Sequence, residues 1–575
     1  MSGRAADSAK AGDQPETPES GLVNALRRVR DELARARFPL ALPGAEEAGA
    51  TARTLTAQLD DYLLPRLSRL DAPLLVVVGG STGVGKSTLV NSVVRAPVTQ
   101  AGVLRPTTRA PVLVTSPPDA RWFVGPAEPL PPGPQTGSAA PAGHESELHL
   151  LPGLPRTTGL ETTPGRLGVI SATGLPRGLA LLDAPDFDSV VTANRELAGH
   201  LLGAADLLLF VTTASRYADA VPWDALRTAR DRGARLAVVL NRVPEGSEEY
   251  VGSHLREMLD AEGLPAVELF VLPEVALDGQ GMVPEDRVIP LRDWLIGLAE
   301  EPSGRVRVVG DTLGGALAAL RSNAEELAKA IDRQLAVGAE LRDAVVREYG
   351  AALSTVESAL AGGTLLRGEV IMRWREFVSG GEFHEAIAAQ AGRSRRFGAA
   401  VTGKAPPGGR LQGALAGGLV TLVAEAVDSA ADRTRSSWAA EPPGAALLTG
   451  MERPGRPTER VRALVRDWRE RLLDLAGAEG GRRTAYAVHV TGLLMMLGVL
   501  GGELPSEAAE PGAARVLSDP ALRTLIGKSR NDLLARIRDL LDADAARFVD
   551  RLAGVDTIAG SAERLRAALS AGAPT

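Results

Sequence analysis

The sequence predicts an α/β head with a doubly wound, mostly parallel sheet, followed by an elongated all-helical body. The apolar run "APLLVVVGG" at 72–80 leads directly into a glycine-rich loop and a helix, as a buried parallel strand would. Further apolar runs alternate with helical segments up to about residue 300. After about residue 303 the strand pattern fades, and helical periodicity continues for many turns.

The composition is that of a globular chain, with 45% apolar and 23% charged residues among 575. This length predicts two or more domains. The chain has no cysteine, which excludes disulfides, thiolate metal sites and cysteine nucleophiles. Its six histidines show no metal-ligand spacing, and its net charge of −7 argues against electrostatic binding of nucleic acid. Nucleic acid is therefore not an expected partner.

The N-terminal region is expected to be a disordered tail over 1–20, because it is polar and lacks an apolar core. The same stretch lacks the apolar segment of a signal peptide, so a cytoplasmic protein is expected. N-terminal helices are predicted within 21–70 and are expected to pack on the helical body. Pro65 is expected to kink or interrupt the second of these helices.

The head is predicted over 71–300. A Pro/Gly-rich insertion at 125–165 departs from its alternating pattern and is expected to be mobile. The buried strands of the head are predicted at six apolar runs: 72–80, 111–116, 179–185, 206–213, 235–241 and 267–273.

The helical body is predicted over 301–575 and contains two apolar segments, 411–427 and 484–502. Basic residues precede each of them, among them Arg396 before the first and Arg483 before the second. Such an arrangement suits an anionic membrane surface, reached through a helical tip. A buried core helix would have the same apolar composition, and both interpretations remain open. No transmembrane helix is predicted, because the second segment is of marginal length for spanning a bilayer.

The loop after the first strand is the strongest motif, since it fits the phosphate-binding pattern G-x-x-x-x-G-K-[ST] between a strand and a helix. Its backbone N–H groups and the helix N-terminus would bind phosphates. Lys86 would contact the β- and γ-phosphates, and Ser87 would ligate Mg²⁺. The predicted nucleotide-binding residues of the loop are Gly80, Ser81, Thr82, Gly83, Val84, Gly85, Lys86, Ser87 and Thr88.

The loop alone does not distinguish an ATPase from a GTPase. The segment "VSGGE" at 378–382 resembles a transporter ATPase signature, which in those proteins precedes the strand that carries the acid directed at Mg²⁺. Here the acid at a strand end, Asp183, comes about 190 residues earlier, and no strand ending in Asp-Glu follows. The order of the motifs therefore argues against an ATPase of that type.

The order does fit a GTPase. "LRPTTRAPVLV" places Thr108, with Thr107 next to it, where a switch threonine senses Mg²⁺ and the γ-phosphate, although both could be turn residues. Asp183 ends a strand and would hold Mg²⁺ through water. Asn241 ends a later strand as a base-binding asparagine would, with Arg242 in place of the usual lysine. Asn241 could equally be a plain strand-end turn residue.

Three positions depart from common GTPase patterns. Asp186 replaces the glycine of D-x-P-G, and Phe187 stands where some GTPases have the glutamine that orients water. Pro244 stands where an aspartate would accept hydrogen bonds from guanine, and losing that acceptor lowers discrimination between bases. Glu245 or Asp219 could substitute for it. Preference for GTP over ATP is therefore open.

The segments "GGSTGVGKSTLVN", "RPTTRAPVL", "LLDAPDFDSV", "LNRVPEG" and "LRGEVIMRWREFVSGGEF" together resemble the dynamin-like GTPases of actinobacteria, over about 50–400. The resemblance implies a GTPase head on a helical bundle, dimerisation through the head and membrane remodelling at a helical tip, with cell division as the setting. Many dynamins carry glutamine where this chain has Thr82. Water activation is then expected from Thr82, beside Lys86 and Thr108, or from a dimer partner.

These observations predict a dynamin-like GTPase that takes GTP and Mg²⁺ as cofactors and is peripherally associated with the cell membrane. Ser87, Thr108 and Asp183 are the predicted metal ligands. The expected partners are a second copy of the chain or a related protein, an anionic membrane surface and cell-division proteins. Alternatives are a GTP-dependent switch that recruits a protein partner without remodelling membranes, and a nucleotide-binding scaffold with little hydrolysis.

Overall fold

The computed structural model divides the chain into two compact units. The first comprises Met1–Arg37, Glu46–Ile331 and Gly560–Thr575, and the second Phe38–Ala45 and Asp332–Ala559. The residues that the structure describes are 18–99, 110–124, 156–158, 166–187, 192–231, 234–264, 267–300, 302–379, 408–452, 455, 457–478, 485–501 and 519–571.

The first unit is built on a sheet that has eight strands among the described residues. They are β1 Leu74–Gly80, β2 Val112–Thr115, β3 Arg156–Thr158, β4 Leu167–Ser171, β5 Leu179–Asp183, β6 Leu207–Thr213, β7 Arg235–Val243 and β8 Glu268–Pro273. Their order is β3-β4-β2-β5-β1-β6-β7-β8, and only β2 and β5 pair antiparallel. The three strands β5, β1 and β6 at the centre are buried along their whole length. The predicted fold class, a mostly parallel α/β head with a helical body, is confirmed.

All six predicted strands are present, and two further strands were not predicted. β4 is a five-residue strand near the edge of the sheet, and β3 is a three-residue strand at the edge. β3 lies inside the 125–165 insertion, whose Pro/Gly-rich composition conceals so short a strand. Most of that insertion lies outside the described residues.

Helices of the first unit cover the sheet and include both ends of the described chain. They are α1 Pro18–Arg35, α2 Ala45–Gln58, α3 Leu64–Leu67, α4 Lys86–Val94, α5 Thr192–Gly203, α6 Ala220–Asp231, α7 Glu248–Ala261, α8 Glu285–Glu300, the first part of α9 Pro302–Ala361 and the last described helix of the chain, Ser561–Ala571. α1 begins at Pro18, so 18–20 of the predicted tail are helical, and 1–17 lie outside the described part. A π-helical turn, Leu59–Leu63, immediately precedes Pro65, which lacks the N–H that a regular α-helix needs.

The N-terminal helices, expected to pack on the helical body, group with the sheet in the first unit, and only Phe38–Ala45 belongs to the second. A buried polar cluster holds them there. Arg66 pairs with Asp206 at 3.0 Å, and each side chain is 1% exposed. Asp206 also accepts hydrogen bonds from the Tyr62 hydroxyl at 3.1 Å and from the backbone N–H of Leu75 at 2.8 Å. This cluster fixes the start of β1, the strand that leads to the glycine-rich loop.

The regular secondary structure of the second unit is all helical among its described residues. Beyond the end of α9 its helices are α10 Glu369–Ser379, α11 Gly409–Ala439, α12 Pro442–Leu448, α13 Thr458–Ala478, α14 Ala485–Gly501, α15 Pro520–Val549 and α16 Ala553–Asp556; α17 Ser561–Ala571 returns to the first unit. Two buried tryptophans link these helices through their indole N–H groups. Trp438 donates to the Leu341 carbonyl and Trp468 to that of Ser529, each at 3.0 Å.

Both apolar segments of the body line the core of the second unit. In α14 the side chains from Val490 to Leu497 are buried, and a Cβ added at Gly498 would lie 2.4 Å from Ile526 Cδ1. α11 buries one face of the segment 411–427 against the same core. By length and composition Gly409–Ala439 is the one described helix that could cross a membrane, with 44% of its most apolar window buried, but a core helix passes the same test. In this structure both segments serve as core helices.

Candidate nucleotide-binding site

The candidate site lies where β1 ends, between β5 and β6 at the centre of the sheet. The chain passes from Gly80 through a tight loop into α4, which begins at Lys86. Gly80 and Gly85 have φ angles of 153° and 94°, which L side chains rarely adopt. A Cβ at Gly80 would lie 2.2 Å from the Val211 carbonyl oxygen, so β6 packs too closely for any other residue. The strand, loop and helix are arranged as a phosphate-binding loop requires.

The predicted residues of the loop face different surroundings. Ser81 and Val84 are buried, Thr82 is half-buried, and Gly83 is exposed with a φ of 79°. Thr88 lies in the first turn of α4, where its carbonyl accepts a hydrogen bond from the Ser92 hydroxyl at 2.6 Å.

Lys86 is only 4% exposed and points back along the loop. Its Nζ donates to the carbonyl oxygens of Gly80 at 3.0 Å and Ser81 at 3.2 Å. Its third partner is the Asp186 carboxylate, in an ion pair in which both side chains are buried. The ammonium therefore lies at the mouth of the loop, where a phosphate chain would reach it.

Ser87 and Asp183, two of the three predicted metal ligands, are in direct contact. The Ser87 hydroxyl donates to Asp183 Oδ2 at 2.6 Å, and Asp183 is fully buried. Its second oxygen, Oδ1, is buried and has no hydrogen-bond partner among the described residues. Burial raises the pKa of Asp183 to about 6, while the Ser87 hydroxyl and the Lys86 ammonium lower it.

This arrangement fits Mg²⁺, which prefers oxygen ligands and usually retains water and phosphate oxygens around it. The unpartnered Asp183 Oδ1 supplies an oxygen that still needs a cation or a water. No group of three or more His, Asp or Glu residues that could hold a metal lies within the described ranges. A hydroxyl, one carboxylate and a bound phosphate chain would together complete such a site, so an all-protein cage is not required.

Asn241, near the end of the predicted base-binding strand, lies against the glycine-rich loop 80–88. Its Nδ2 donates to the Val84 carbonyl at 2.8 Å, and its Oδ1 accepts the backbone N–H of Arg242 at 3.0 Å. Arg242 is exposed and has a φ of 52°, which is uncommon for a residue with a side chain. The tertiary structure thus joins Asn241 and the loop across 157 residues of sequence.

The two acids suggested as replacements for the missing base-site aspartate have different surroundings. Pro244 and Glu245 are both exposed, beyond the end of β7. Asp219 pairs with Arg216 at 3.4 Å, and Arg216 donates to the Thr82 carbonyl at 2.8 Å. Asp219 is therefore linked to the phosphate-binding loop through an arginine.

The structure describes the position that departs from the glutamine of some GTPases, but not the predicted switch threonine. Thr108 and its neighbour Thr107 lie outside the described residues. Phe187 is 8% exposed, its ring stacks on Phe210 with centroids 6.3 Å apart, and a Cβ at Gly79 would lie 2.1 Å from it. The ring is part of the core beneath β1, so this position places no polar side chain near a bound phosphate.

Sequence reasoning missed two contacts that organise the loop. One is Arg216, whose guanidinium holds the Thr82 carbonyl. The other is Asn91 in α4, whose Oδ1 accepts the backbone N–H groups of Val98 at 3.0 Å and Thr99 at 2.8 Å. Thr99 in turn donates to the Ser87 carbonyl at 3.2 Å. An arginine or asparagine in an ordinary loop or helix gives no sequence signal for such contacts.

No protein-family model matches the sequence, and no curated protein matches it. Among solved structures, Era in complex with MgGDPNP and nucleotides 1506–1542 of 16S ribosomal RNA is 16% identical, with a TM-score of 0.24. That match covers 38% of this chain and 55% of the Era chain, about half its length. Two structures of an oligomerised bacterial dynamin pair, described as a mechanism for long-range sensing and tethering of membranes, are each 10% identical. They cover 98% and 96% of this chain and 96% and 94% of their own, with TM-scores of 0.41 and 0.40.

Bacterial dynamins are thus among the proteins to which this chain is similar over nearly its whole length, and the comparisons do not support an actinobacterial origin. The identities of 10–16% and the TM-scores below 0.5 assign the chain neither a family nor an activity. The assignment of function therefore rests on the geometry of the site.

Proposed function

We propose that the protein is a dynamin-like GTPase, which binds GTP with Mg²⁺ at the loop 80–88 and hydrolyses its γ-phosphate. The observation that carries this proposal is the hydrogen bond from Asn241 Nδ2 to the Val84 carbonyl. It places a strand-end asparagine beside the phosphate-binding loop, where a guanine-binding motif is needed. A plain turn residue would not require this contact with a segment so distant along the chain.

The chemistry follows from the positions of the charged groups. Lys86 would neutralise negative charge on the β- and γ-phosphates, and the backbone N–H groups at the start of α4 would bind the same oxygens. Ser87 and Asp183 would hold Mg²⁺, which supplies further neutralisation of the phosphate charge when bound. Catalysis in such a site comes from positioning and electrostatic stabilisation. Thr82, held by Arg216 through its carbonyl, is the polar side chain that we assign to orienting water.

A scaffold or switch with weak hydrolysis is the second candidate. The burial of Phe187 favours it, because the position that carries a water-orienting glutamine in some GTPases is here part of the core. The two candidates differ in turnover. A remodelling GTPase that dimerises through its head should hydrolyse faster as the concentration of protein or lipid rises, whereas a switch should turn over slowly and independently of lipid.

We further propose that the nucleotide cycle operates at an anionic membrane surface, in peripheral association with the membrane and in the setting of cell division. The support is in the sequence, where basic residues precede both apolar segments of the body; these basic residues would make the contact, because the apolar segments themselves pack in the core of the second unit. Flotation of the full chain with anionic and with zwitterionic liposomes, each with and without GTPγS, tests this. Binding to anionic vesicles alone is expected, and a protein that stays at the bottom of every gradient contradicts it.

A nucleotide panel tests the proposed activity. We expect GTPγS to bind the wild type more tightly than ATPγS does, and Lys86→Ala to abolish the binding of both. Asn241→Ala should weaken GTPγS binding by about tenfold, since losing one or two buried hydrogen bonds costs about 1–3 kcal/mol. Lys329→Ala, which changes an exposed lysine paired with Glu326, is the matched control and should bind like the wild type. Equal affinity for the two nucleotides would remove the GTPase assignment and leave the phosphate-binding loop.

A further inference from the structure

The ion pair between Lys86 and Asp186 lies at the centre of the candidate site, and the proposed reaction does not use its carboxylate. Lys86 is 4% exposed and Asp186 is 7% exposed. An ammonium group has three N–H donors. In Lys86 these are matched by three acceptors, the carbonyls of Gly80 and Ser81 and the carboxylate of Asp186. A phosphate group can bind Lys86 directly only by replacing one of them.

Asp186 is the partner that a phosphate would replace. The two carbonyls belong to the loop backbone, whose conformation is restricted by the close packing of Gly80 against β6. The carboxylate carries the same sign of charge as a phosphate, so the two would repel each other if both remained at Lys86. Asp186 therefore occupies the position of a phosphate's negative charge.

The chain after β5 holds this carboxylate in place. The backbone N–H of Ala184 donates to the Val78 carbonyl at 3.2 Å, and that of Phe187 donates to the Gly80 carbonyl at 3.4 Å. The ring of Phe187, the residue that follows Asp186, is buried against Gly79 of β1. Asp186 is thus attached to β1 on both sides, which distinguishes it from a surface residue that meets a lysine by chance.

We propose that Asp186 is a specificity-determining residue: an internal carboxylate that competes with the terminal phosphates of the nucleotide for Lys86. A triphosphate brings more negative charge to this point than a diphosphate does, so the competition disfavours the triphosphate more. Removing the charge of Asp186 should therefore tighten binding of both nucleotides, and that of the triphosphate by the larger factor. This inference deepens the proposed function and rests on the same loop.

A purely structural role for Asp186 makes the opposite prediction. If the carboxylate only neutralised a buried lysine, its loss would destabilise the nucleotide-free protein and leave nucleotide affinity unchanged or weaker. A competing carboxylate gives tighter binding whatever happens to the melting temperature. Affinity and thermal stability therefore have to be measured on the same variants.

The experiment compares the full-length wild type with Asp186→Asn and with Asp186→Gly, which restores the glycine common in the D-x-P-G motif. The probes are GDP, GTPγS and inorganic tripolyphosphate, each with Mg²⁺, measured by calorimetry. Asp119→Asn is the matched control, since Asp119 is a buried aspartate of the same unit that accepts hydrogen bonds from Gly178 N–H and the Ser116 hydroxyl. Melting of each nucleotide-free variant identifies any that does not fold, and the other Asp186 variant then provides the result.

We expect both Asp186 variants to bind GTPγS and tripolyphosphate about tenfold more tightly or better, a change that removal of one nearby like charge can produce. The affinity of both variants for GDP should increase by a smaller factor. Asp119→Asn should bind all three probes with the affinity of the wild type. Unchanged or weaker binding of all three probes by both folded variants overturns the proposal. Tripolyphosphate has no base, so its binding tests the competition alone. If the Asp186 variants bind tripolyphosphate more tightly while the wild type binds GTPγS and ATPγS equally in the nucleotide panel, the competition is upheld and only the preference for guanine is refuted.

Discussion

Arg66→Met is expected to destabilise the sheet-containing unit severely, because it leaves the Asp206 carboxylate buried without its cation. Asp206 and Arg66 are each 1% exposed and 3.0 Å apart. Removing one partner of a buried ion pair costs about 3–5 kcal/mol, since the remaining charge stays desolvated. Burial already raises the pKa of Asp206, and Arg66 is the strongest influence that lowers it. The loss should appear at the start of β1 and β6, where Asp206 also accepts the Leu75 N–H.

The matched control is Arg30→Met. Arg30 pairs with Asp60 at 2.9 Å, a similar distance, but the two side chains are 41% and 39% exposed. Exposed pairs contribute about 0–1 kcal/mol, because solvent screens them. The two variants therefore change the same residue type in similar pairs. They differ in burial and in secondary contacts, since Arg66 also donates to the carbonyls of Arg69 and Ala72 and Arg30 also pairs with Asp31.

Native-state hydrogen exchange of peptides covering β1 and β6 measures the free energy of opening of this unit separately from the rest of the chain. If Arg66→Met lowers the free energy of opening by an amount within about 1 kcal/mol of that for Arg30→Met, the prediction is wrong, since burial of the ion pair would then have made no difference. Adding Asp206→Asn should recover part of the loss, because it removes the charge and keeps an oxygen for the Leu75 N–H. Because the folded pKa of Asp206 is raised, protonation relieves the unpaired charge, and the loss in Arg66→Met should shrink as the pH falls.

Two further predictions concern other buried acids. Without nucleotide and Mg²⁺, Asp183 has a pKa of about 6 against 3.8 for an ordinary aspartate, so its contribution to stability is present below pH 3.8 and is lost as the pH rises through 6. The free energy of unfolding falls by about 3 kcal/mol at most over this pH range. The melting temperature of Asp183→Asn should therefore depend less on pH between 3.8 and 6 than that of the wild type. In the second unit, Tyr349→Phe removes a 2.7 Å hydrogen bond to the buried carboxylate of Asp544 and should cost about 1–3 kcal/mol in denaturant unfolding. Tyr250→Phe, at a side chain 79% exposed, should stay within about 0.5 kcal/mol of the wild type, and equal losses in both would contradict this assignment.

Local patterns in the sequence predicted the class of the fold and most of its strands. The run 207–211 is apolar throughout because β6 is buried on both faces, and this pattern is readable without knowing its neighbours. The short strands β3 and β4 were missed because three to five residues near the sheet edge carry too little periodicity. The sequence also indicated Ser87, Asp183 and Asn241 as residues of one site, through the order in which their strand ends occur.

Burial of the apolar segments depended on the tertiary structure. A core helix and a membrane-seeking helix have the same composition, so α14 could not be classified from its residues alone. The packing around α14 shows that it is a core helix in this structure. Gly498 lets Ile526 approach closely, and the side chains of the helix belong to the core of the second unit.

The sequence by itself determined that a glycine-rich loop with the pattern G-x-x-x-x-G-K-[ST] lies between a buried strand and a helix, because the glycine spacing and strand pattern are local. Only the tertiary structure decided what surrounds that loop. It brought Asn241 to Val84, Arg216 to Thr82 and Asp186 to Lys86, contacts that join residues about 100 to 157 positions apart. Such contacts depend on how the strand ends of one sheet converge, and no local periodicity encodes that. The substitution of Asp186 for a glycine was visible in the sequence, whereas its pairing with Lys86 was visible only in the fold.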